Sequence, residues 1–231
     1  MKLPKLYEGR LLRRYKRFLA DIELISGELV TAHCANPGAM TGLALPGSQV
    51  YLSRSDDPRR KLPYSWELCR VGRGLVCVNT ARANPLAAEA LQDGVVRELT
   101  GFVALRREVT VGESRIDFRL EFPEGRCWVE VKNVTLDRGN GVSAFPDSVT
   151  KRGARHLREL IELKQQGERA VLLFCSSRSD TQRVIPARDI DPVYAEALAE
   201  AHAAGVELLA YACKISQREL RLSKRVPVDL T

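Results

Sequence analysis

The fold is decided by residues 115–133, RIDFRLEFPEGRCWVEVKN, in which apolar and polar side chains alternate on both sides of a short Pro-Glu-Gly turn. Alternation of this length is typical of two half-buried β-strands. A tight FPEG turn sets Phe122 opposite Gly125, which in turn sets Phe118 opposite Val129. A shift of one residue would put charged groups among the apolar ones, so the pattern predicts a β-hairpin in this register.

The polar face of this hairpin collects charged side chains. The predicted register places Ile116 opposite Val131 and Asp117 opposite Glu130, with Lys132 two residues further along the same face. Two carboxylates are therefore expected at directly opposed positions of the sheet, where their side chains lie about 5 Å apart.

A third acid joins this row from the preceding strand. A two-residue turn that begins at Gly112 sets Glu108 opposite Asp117. Because directly opposed like charges destabilise a sheet, a cation is expected among them. Two sources stay open: the neighbouring side chains of Arg115 and Lys132, or a divalent metal ion.

Carboxylate oxygens suit Mg²⁺ or Mn²⁺ and not zinc. If a metal is present, one or two such ions are expected, with Asp117, Glu130 and Glu108 as the ligands. In a metal-dependent reaction, Asp117, Glu130 and Lys132 form the candidate catalytic set. Lys132 would then steady a nucleophilic water or the negative charge that develops on a phosphate.

The pattern of the 231 residues changes near residue 80. Residues 6–79 contain five or so short strands separated by turn signals, and the first of them spans residues 10–24; this is typical of a small barrel of the oligonucleotide-binding (OB) type. The order after residue 80 is αβββαβαβ, which predicts a mixed sheet covered by helices. The predicted fold class is α/β (α+β), with domains at residues 1–80 and 81–231.

Capping residues predict where three helices begin. Asn84 before Pro85 opens the first helix, and Asp147 caps a second helix that runs to about residue 166. Asp191 followed by Pro192 opens a third. Each of these positions combines a side-chain acceptor with a sequence that favours a helix after it.

Cysteine usage and apolar run lengths bear on the cellular compartment. Six cysteines lie singly in apolar stretches, without a zinc-ligand spacing, which predicts reduced structural thiols. The sequence has no run of about 18 apolar residues and its first residues lack the apolar stretch of a secretory signal. We therefore expect a cytoplasmic protein without a membrane partner.

The positive charge is concentrated in the first third of the chain. The net charge is +7, and residues 1–80 carry 13 Lys and Arg against 7 Asp and Glu. Such an excess attracts a polyanion, so nucleic acid is the predicted partner, DNA first and RNA as an open alternative. The plain alternative is a basic solvated surface. The candidate nucleic-acid contacts are Arg13, Arg14, Lys16, Arg17, Arg59, Arg60, Lys61, Arg115, Arg152 and His156.

The segment HCANPGAMTG, residues 33–42, joins a strand to small residues and turn formers. Its backbone amides are suited to hold a phosphate, and a structural turn in the barrel wall is the alternative. Its adjacent His33 and Cys34 point to opposite faces of a strand and therefore do not form a nucleophile and base pair.

Asp117 followed by Glu130-Val131-Lys132 within an αβββαβ unit resembles the PD-(D/E)xK nuclease superfamily. Over nearly its whole length the chain is also similar to the sugar fermentation stimulation protein A (SfsA) family. The stretches that carry this similarity include RYKRFLAD (14–21), HCANPGAMTG (33–42), SRIDF (114–118), VEVKNVTL (129–136) and FPDSVTKRGARHLREL (145–160).

The resemblance implies an OB-like domain followed by a nuclease-like domain, DNA binding with little sequence preference, and a regulatory link to sugar catabolism, maltose in particular. A Mg²⁺- or Mn²⁺-dependent nuclease is the alternative function. The chain departs from the family pattern in two places: HCANPG stands where HCPNTG is usual, and Lys151 stands where Glu is usual. The acid and lysine set of the hairpin is intact.

Overall fold

The computed structural model of the protein describes residues 1–112 and 114–230. Short strands form the first part of the molecule. They lie in the order β3-β2-β1-β4-β5-β6, and a parallel pairing of β3 with β5 closes a five-stranded barrel from which β6 extends. The strands are β1 Leu6–Tyr15, β2 Leu19–Leu24, β3 Leu29–His33, β4 Gln49–Arg54, β5 Tyr64–Val71 and β6 Gly74–Cys77.

The sequence predicted one continuous strand over residues 10–24, and this prediction is wrong, because two strands, β1 and β2, occupy this stretch. The chain reverses between β1 and β2, with Lys16 and Arg17 at φ 48° and 61°. Left-handed backbone at residues other than glycine is uncommon, and this turn contains no Gly, Pro or Asn. The usual turn signal was therefore missing from the sequence.

A mixed six-stranded sheet forms the second part, in the order β15-β14-β12-β9-β8-β7. The central strands β9, β12 and β14 are parallel and the others antiparallel. The strands are β7 Ala104–Val111, β8 Ser114–Phe122, β9 Gly125–Val134, β12 Arg169–Ser176, β14 Glu207–Ile215 and β15 Leu220–Val226. A small second sheet contains β10 Leu136–Asp137, β11 Val142–Phe145 and β13 Arg183–Pro186.

Helices cover both faces of the large sheet. Helix α1, Ala83–Gln92, packs on one face, and α2, Lys151–Gln165, packs with α3, Pro192–Ala203, on the other. The core under α1 also contains Leu68 and Leu75 of the barrel. One hydrophobic core therefore extends from the sheet to the barrel wall, while Leu11 and Trp66 belong to a separate cluster inside the barrel.

Two helix starts differ from the sequence prediction. Helix α2 is capped by Thr150, whose hydroxyl accepts from Gly153 N, so Asp147 is not its cap. Helix α1 begins at Ala83 and contains Asn84 in its first turn. The third prediction is confirmed, because the Asp191 side chain accepts from Tyr194 N at the start of α3.

The hairpin register is confirmed near the turn and wrong beyond it. Phe118 pairs with Val129, and Phe122 pairs with Gly125. Within the described part of β8, pairing with β9 stops at Phe118. Ile116 packs under α2 while Val131 packs under α1, so these two side chains lie on opposite faces. Strand β8 therefore separates from β9 where the acids lie.

Several contacts fix the barrel against the sheet. Cys77 N donates to Ser177 O at 2.8 Å, and Val76 forms an isolated bridge with Arg178. Near the N-terminus, Lys2 forms an antiparallel bridge with Glu219, which directly precedes β15 of the large sheet.

All six cysteines are buried free thiols. Burial raises the pKa of each of them, to about 11 for Cys69 and about 12 for Cys77 and Cys127. Among the described residues, no helix combines the length and apolar character needed to cross a membrane.

Candidate active site

Asp117 occupies the gap that opens between β8 and β9. Its Oδ2 accepts the backbone N–H of Val131 at 2.8 Å, and its Oδ1 accepts from Asn84 Nδ2 at 2.6 Å. The carboxylate thus replaces the strand carbonyl that Val131 N–H would otherwise meet. Burial, followed by the nearby negative charge of Glu130, raises the pKa of Asp117 from 3.8 to about 6.

Glu130 is the most enclosed acid of the site, with 2% of its surface exposed. Its Oε1 accepts from Lys132 Nζ at 2.6 Å and is also bonded to His156 Nδ1. Its buried Oε2 has no hydrogen-bond partner among the described residues. Burial acts to raise the pKa of Glu130, but the charge of Lys132 and the hydrogen bonds from His156 and Lys132 outweigh it and hold the pKa below its ordinary value.

His156 was predicted to contact nucleic acid from an exposed helix face, and that prediction is wrong. Only 2% of its surface is exposed, and its ring contacts Glu130. Arg152 Nε donates to His156 Nε2 at 3.2 Å, so Nε2 is the acceptor and Nδ1–H donates to Glu130. A helical spacing relates residue 156 to the buried Gly153 and Leu160, and this signal would have placed it on the inner face.

Glu108 does not join the two acids. Its backbone has φ 53°, and its exposed side chain forms an ion pair with Arg115 at 2.8 Å. Within residues 1–112 and 114–230, no cluster of three or more His, Cys, Asp or Glu is arranged to bind a metal. The predicted row of three carboxylates is therefore reduced to Asp117 and Glu130. Of the two basic side chains expected beside the row, Arg115 binds Glu108 and Lys132 binds Glu130.

The two remaining carboxylates fit a hard divalent cation. The unpartnered Glu130 Oε2 is a buried charged oxygen, which costs free energy unless a cation or donor satisfies it. Burial is the main cause of the raised pKa of Asp117 and the charge of Glu130 is the second, and a cation bound between the two carboxylates would offset both. Oxygen ligands of this kind suit Mg²⁺ or Mn²⁺.

The predicted basic contacts divide into bound and free side chains. Arg14 donates to the carbonyls of residues 17, 36, 38 and 39, so it holds a loop. Arg13 pairs with Asp21, Arg59 with Asp57, and Arg60 with Ser65. The exposed basic side chains without a recorded hydrogen bond or ion pair among the described residues include Lys16, Arg17, Lys61, Lys151, Arg155 and Arg158.

The HCANPGAMTG loop joins the two parts of the molecule. Asn36 is buried; its amide donates to Val78 O and its oxygen accepts from Gly38 N. Met40 N donates to Asp147 Oδ2 at 3.2 Å. Since these amides are already bonded and a carboxylate lies among them, the loop acts as a structural turn and not as a phosphate site.

Two family models match the chain, one over the barrel and one over the part that contains the large sheet. The model of the SfsA N-terminal OB domain matches residues 12–78, and that of the sugar fermentation stimulation protein RE domain matches residues 81–219. The chain belongs to the sugar fermentation stimulation protein (SfsA) family.

Relatives within the SfsA family match the chain from end to end. The sugar fermentation stimulation protein homolog of Pseudomonas syringae pv. syringae is 55% identical and covers 97% of each chain. The homolog of Maricaulis maris is 56% identical over 100% of each chain. The solved structure of SfsA from Pyrococcus furiosus in complex with Ca²⁺ has a TM-score of 0.90 at 28% identity and covers 99% of this chain and 98% of that one.

These matches confirm the predicted fold class for this SfsA family member. An OB-like barrel is followed by a mixed sheet flanked by helices. The sequence analysis interpreted Asn84 as a helix cap because it precedes Pro85, and it therefore missed the hydrogen bond from Asn84 to Asp117.

Proposed function

We propose that this protein is a metal-dependent phosphodiesterase that acts on nucleic acid. The observation that carries the proposal is the buried Glu130, whose free Oε2 lies in a site shared with Asp117 and next to Lys132. The Ca²⁺ in the Pyrococcus furiosus relative supports a divalent cation. Mg²⁺ or Mn²⁺ is the proposed cofactor for catalysis, because Asp117 and Glu130 offer oxygen ligands.

Each side chain has a defined task in this proposal. Asp117 and Glu130 would hold the cation, and a bound cation of this kind supplies charge stabilisation and an activated water. Asn84 and His156 orient the two carboxylates through the bonds described above. Lys132 is proposed to contact the attacking water or the phosphate oxygen on which negative charge develops.

The proposal is tested by nucleic-acid cleavage with Mn²⁺, Mg²⁺ or EDTA. We expect cleavage by the wild type with a divalent cation and a loss of about 10²-fold in rate for Lys132→Met, because one charged donor to the transition state is removed. Lys164→Met is the matched control, since Glu162 and Lys164 repeat the Glu-x-Lys spacing on α2, away from the acids. Wild-type protein that cleaves no DNA or RNA with any divalent cation contradicts the proposal.

The raised pKa of Asp117 predicts a pH-dependent stability without metal. Its carboxyl binds a proton up to about pH 6 when folded but only to about 3.8 when unfolded, so the folded state loses relative stability as pH rises through this window. Asp117→Asn should therefore stabilise the protein in EDTA by roughly 2 kcal/mol at pH 7.5. Urea unfolding at pH 7.5 and 4 measures this difference, which should vanish at the lower pH.

The exposed Asp56 supplies the control for that measurement. Asp56→Asn should leave the free energy of unfolding unchanged at both pH values. Added Mn²⁺ should stabilise the wild type more than Asp117→Asn. A stability gain that is equal at pH 4 and 7.5 would show that Asp117 is not held near a pKa of 6.

A second candidate function is DNA binding with little sequence preference, which the free basic side chains of α2 favour. Arg155 and Arg158 are exposed on the helix that supplies His156 to the site. The double substitution Arg155→Gln and Arg158→Gln should weaken duplex binding and reduce the salt slope of log K by about 2. Anisotropy titrations between about 50 and 200 mM salt measure the slope; an unchanged slope argues against these contacts.

A role in regulating sugar catabolism, including maltose, would follow if such binding occurs at the relevant promoters. The name of these relatives, sugar fermentation stimulation protein homolog, supports this part of the proposal. The free buried thiols fit the reducing environment of the cytoplasm, which is the proposed location.

A further inference from the structure

We propose that Phe18 and His33 form a base-stacking platform on the barrel that binds single-stranded nucleic acid and directs it toward the candidate active site. The inference rests on the proposed action on nucleic acid and adds the class of substrate, a strand with unpaired bases. It adds Phe18 and His33, which lie outside the acid site, to Lys16 and Arg17, two of the basic contacts expected from the sequence.

The platform consists of two stacked rings held on adjacent strands. Phe18 precedes β2 and His33 ends β3, and their ring centroids lie 6.4 Å apart with 21° between the planes. Leu19 pairs with His33, and Cys34 N donates to Phe18 O at 2.8 Å, so the backbone beneath both rings is fixed. Phe18 is nevertheless 45% exposed. A fixed, exposed aromatic face of this kind stacks on any base.

Free positive charge lies directly beside the platform. Lys16 and Arg17 occupy the turn that leads into Phe18, and both are exposed. Neither side chain has a recorded hydrogen bond or ion pair within the described part of the chain. Because Arg13 and Arg14 are bound to other groups, Lys16 and Arg17 are the cations of this turn that remain available to backbone phosphates.

A cleft begins at the residue next to Phe18 and extends to β9. Arg17, the neighbour of Phe18 in the chain, lines a cleft of about 370 Å³ between the barrel and the second domain. The opposite wall contains Phe145 and Thr150, and Asn133 lies on the same lining. Asn133 directly follows Lys132 in β9, so the cleft reaches the strand that carries the proposed catalytic side chains.

Two observations favour a single strand over a duplex. Bases in a duplex stack on one another, so an isolated aromatic face meets them only where they are unpaired. Glu130 and Lys132 are only 2% and 9% exposed, and a phosphate on a flexible strand can approach such enclosed groups more closely than one on a stiff duplex.

The test measures binding of fluorescent oligonucleotides by anisotropy in EDTA, where cleavage is not required. The probes are oligo-dT, oligo-U and a DNA duplex of the same length. We expect tighter binding of the single strands, a loss of about 10-fold or more for Phe18→Ala on them, and retention by Phe18→Trp. Ile25→Ala, at an exposed apolar residue of the same barrel, is the matched control and should bind as the wild type does.

Equal affinity for strand and duplex, or unchanged binding by Phe18→Ala, overturns the inference. Tighter binding of either oligo-dT or oligo-U shows which of the two nucleic acids is preferred, and it supports the platform in either case. If Phe18→Ala does not fold, Phe18→Leu carries the same expectation, because it keeps apolar bulk without a ring.

The outcome is separable from that of the cleavage assay. A wild type that binds single strands through Phe18 but cleaves nothing retains the platform and contradicts the phosphodiesterase. Cleavage of a single strand at the same rate by wild type and Phe18→Ala, with unchanged single-strand binding, retains the phosphodiesterase and overturns the platform.

Discussion

Replacing Glu130 by glutamine is expected to abolish divalent-dependent cleavage, with a loss of at least about 10³-fold in rate. A neutral amide removes one of the two carboxylates proposed to hold the cation, and a bound metal contributes several kcal/mol of transition-state stabilisation, of which about 1.36 kcal/mol corresponds to each tenfold change in rate. Single-turnover cleavage at saturating Mn²⁺ measures the effect.

Glutamine keeps an oxygen that accepts from Lys132 and His156, so the substitution tests charge and not packing. Mn²⁺ binding followed by calorimetry should weaken in parallel with the rate. Glu162→Gln, at an exposed position of α2, should leave both quantities unchanged. Cleavage by Glu130→Gln at the wild-type rate would place the chemistry elsewhere or assign it to a contaminating enzyme.

Replacing Glu67 by alanine is expected to lower the free energy of unfolding by about 3 to 5 kcal/mol, because it leaves a partly buried cation unpaired. Glu67 is 1% exposed, and both of its oxygens accept from Arg82, at 2.8 and 3.0 Å. Ser53 and Asn79 donate to the same carboxylate. Guanidinium chloride unfolding measures the loss, and Glu23→Ala, at an exposed site on β2, is the control.

The pH dependence of this loss has a defined sign. Burial acts to raise the pKa of Glu67, but the bonds from Arg82, Ser53 and Asn79 outweigh it and lower the pKa from 4.5. The stability contributed by Glu67 is therefore present above its unfolded pKa and disappears as pH falls through the folded value. A difference between wild type and Glu67→Ala that persists unchanged at low pH would contradict a charge-dependent role.

How far the sequence predicts this protein can be followed along the hairpin. Phe118 and Val129 pair as expected, because their alternation with charged residues leaves only one register that buries them. Ile116 and Val131 continue the same alternation but lie on opposite faces. Alternation reports which side chains are buried and not which face buries them, so it cannot reveal the point where two strands separate.

The candidate site shows the same limit. Glu130 and Lys132 were identified because i and i+2 residues share a face of a strand, and their side chains are bonded. His156 and Asn84 come from helices distant in the chain, and only the packing of those helices on the sheet brings them to the acids. Glu108 was lost from the group because its left-handed backbone and its bond to Arg115 are not encoded in a two-residue period.

Asp117 has a structural role besides the one proposed in metal binding, because its carboxylate accepts the hydrogen bond from Val131 N–H. An oxygen at residue 117 is needed to close the sheet where β8 leaves β9. A descendant of this protein that had lost every reaction would still be selected to keep Asp or Asn there. The presence of Asp117 in a relative is thus explained by the sheet alone, and the presence of Glu130 and Lys132 is the better indicator of the proposed activity.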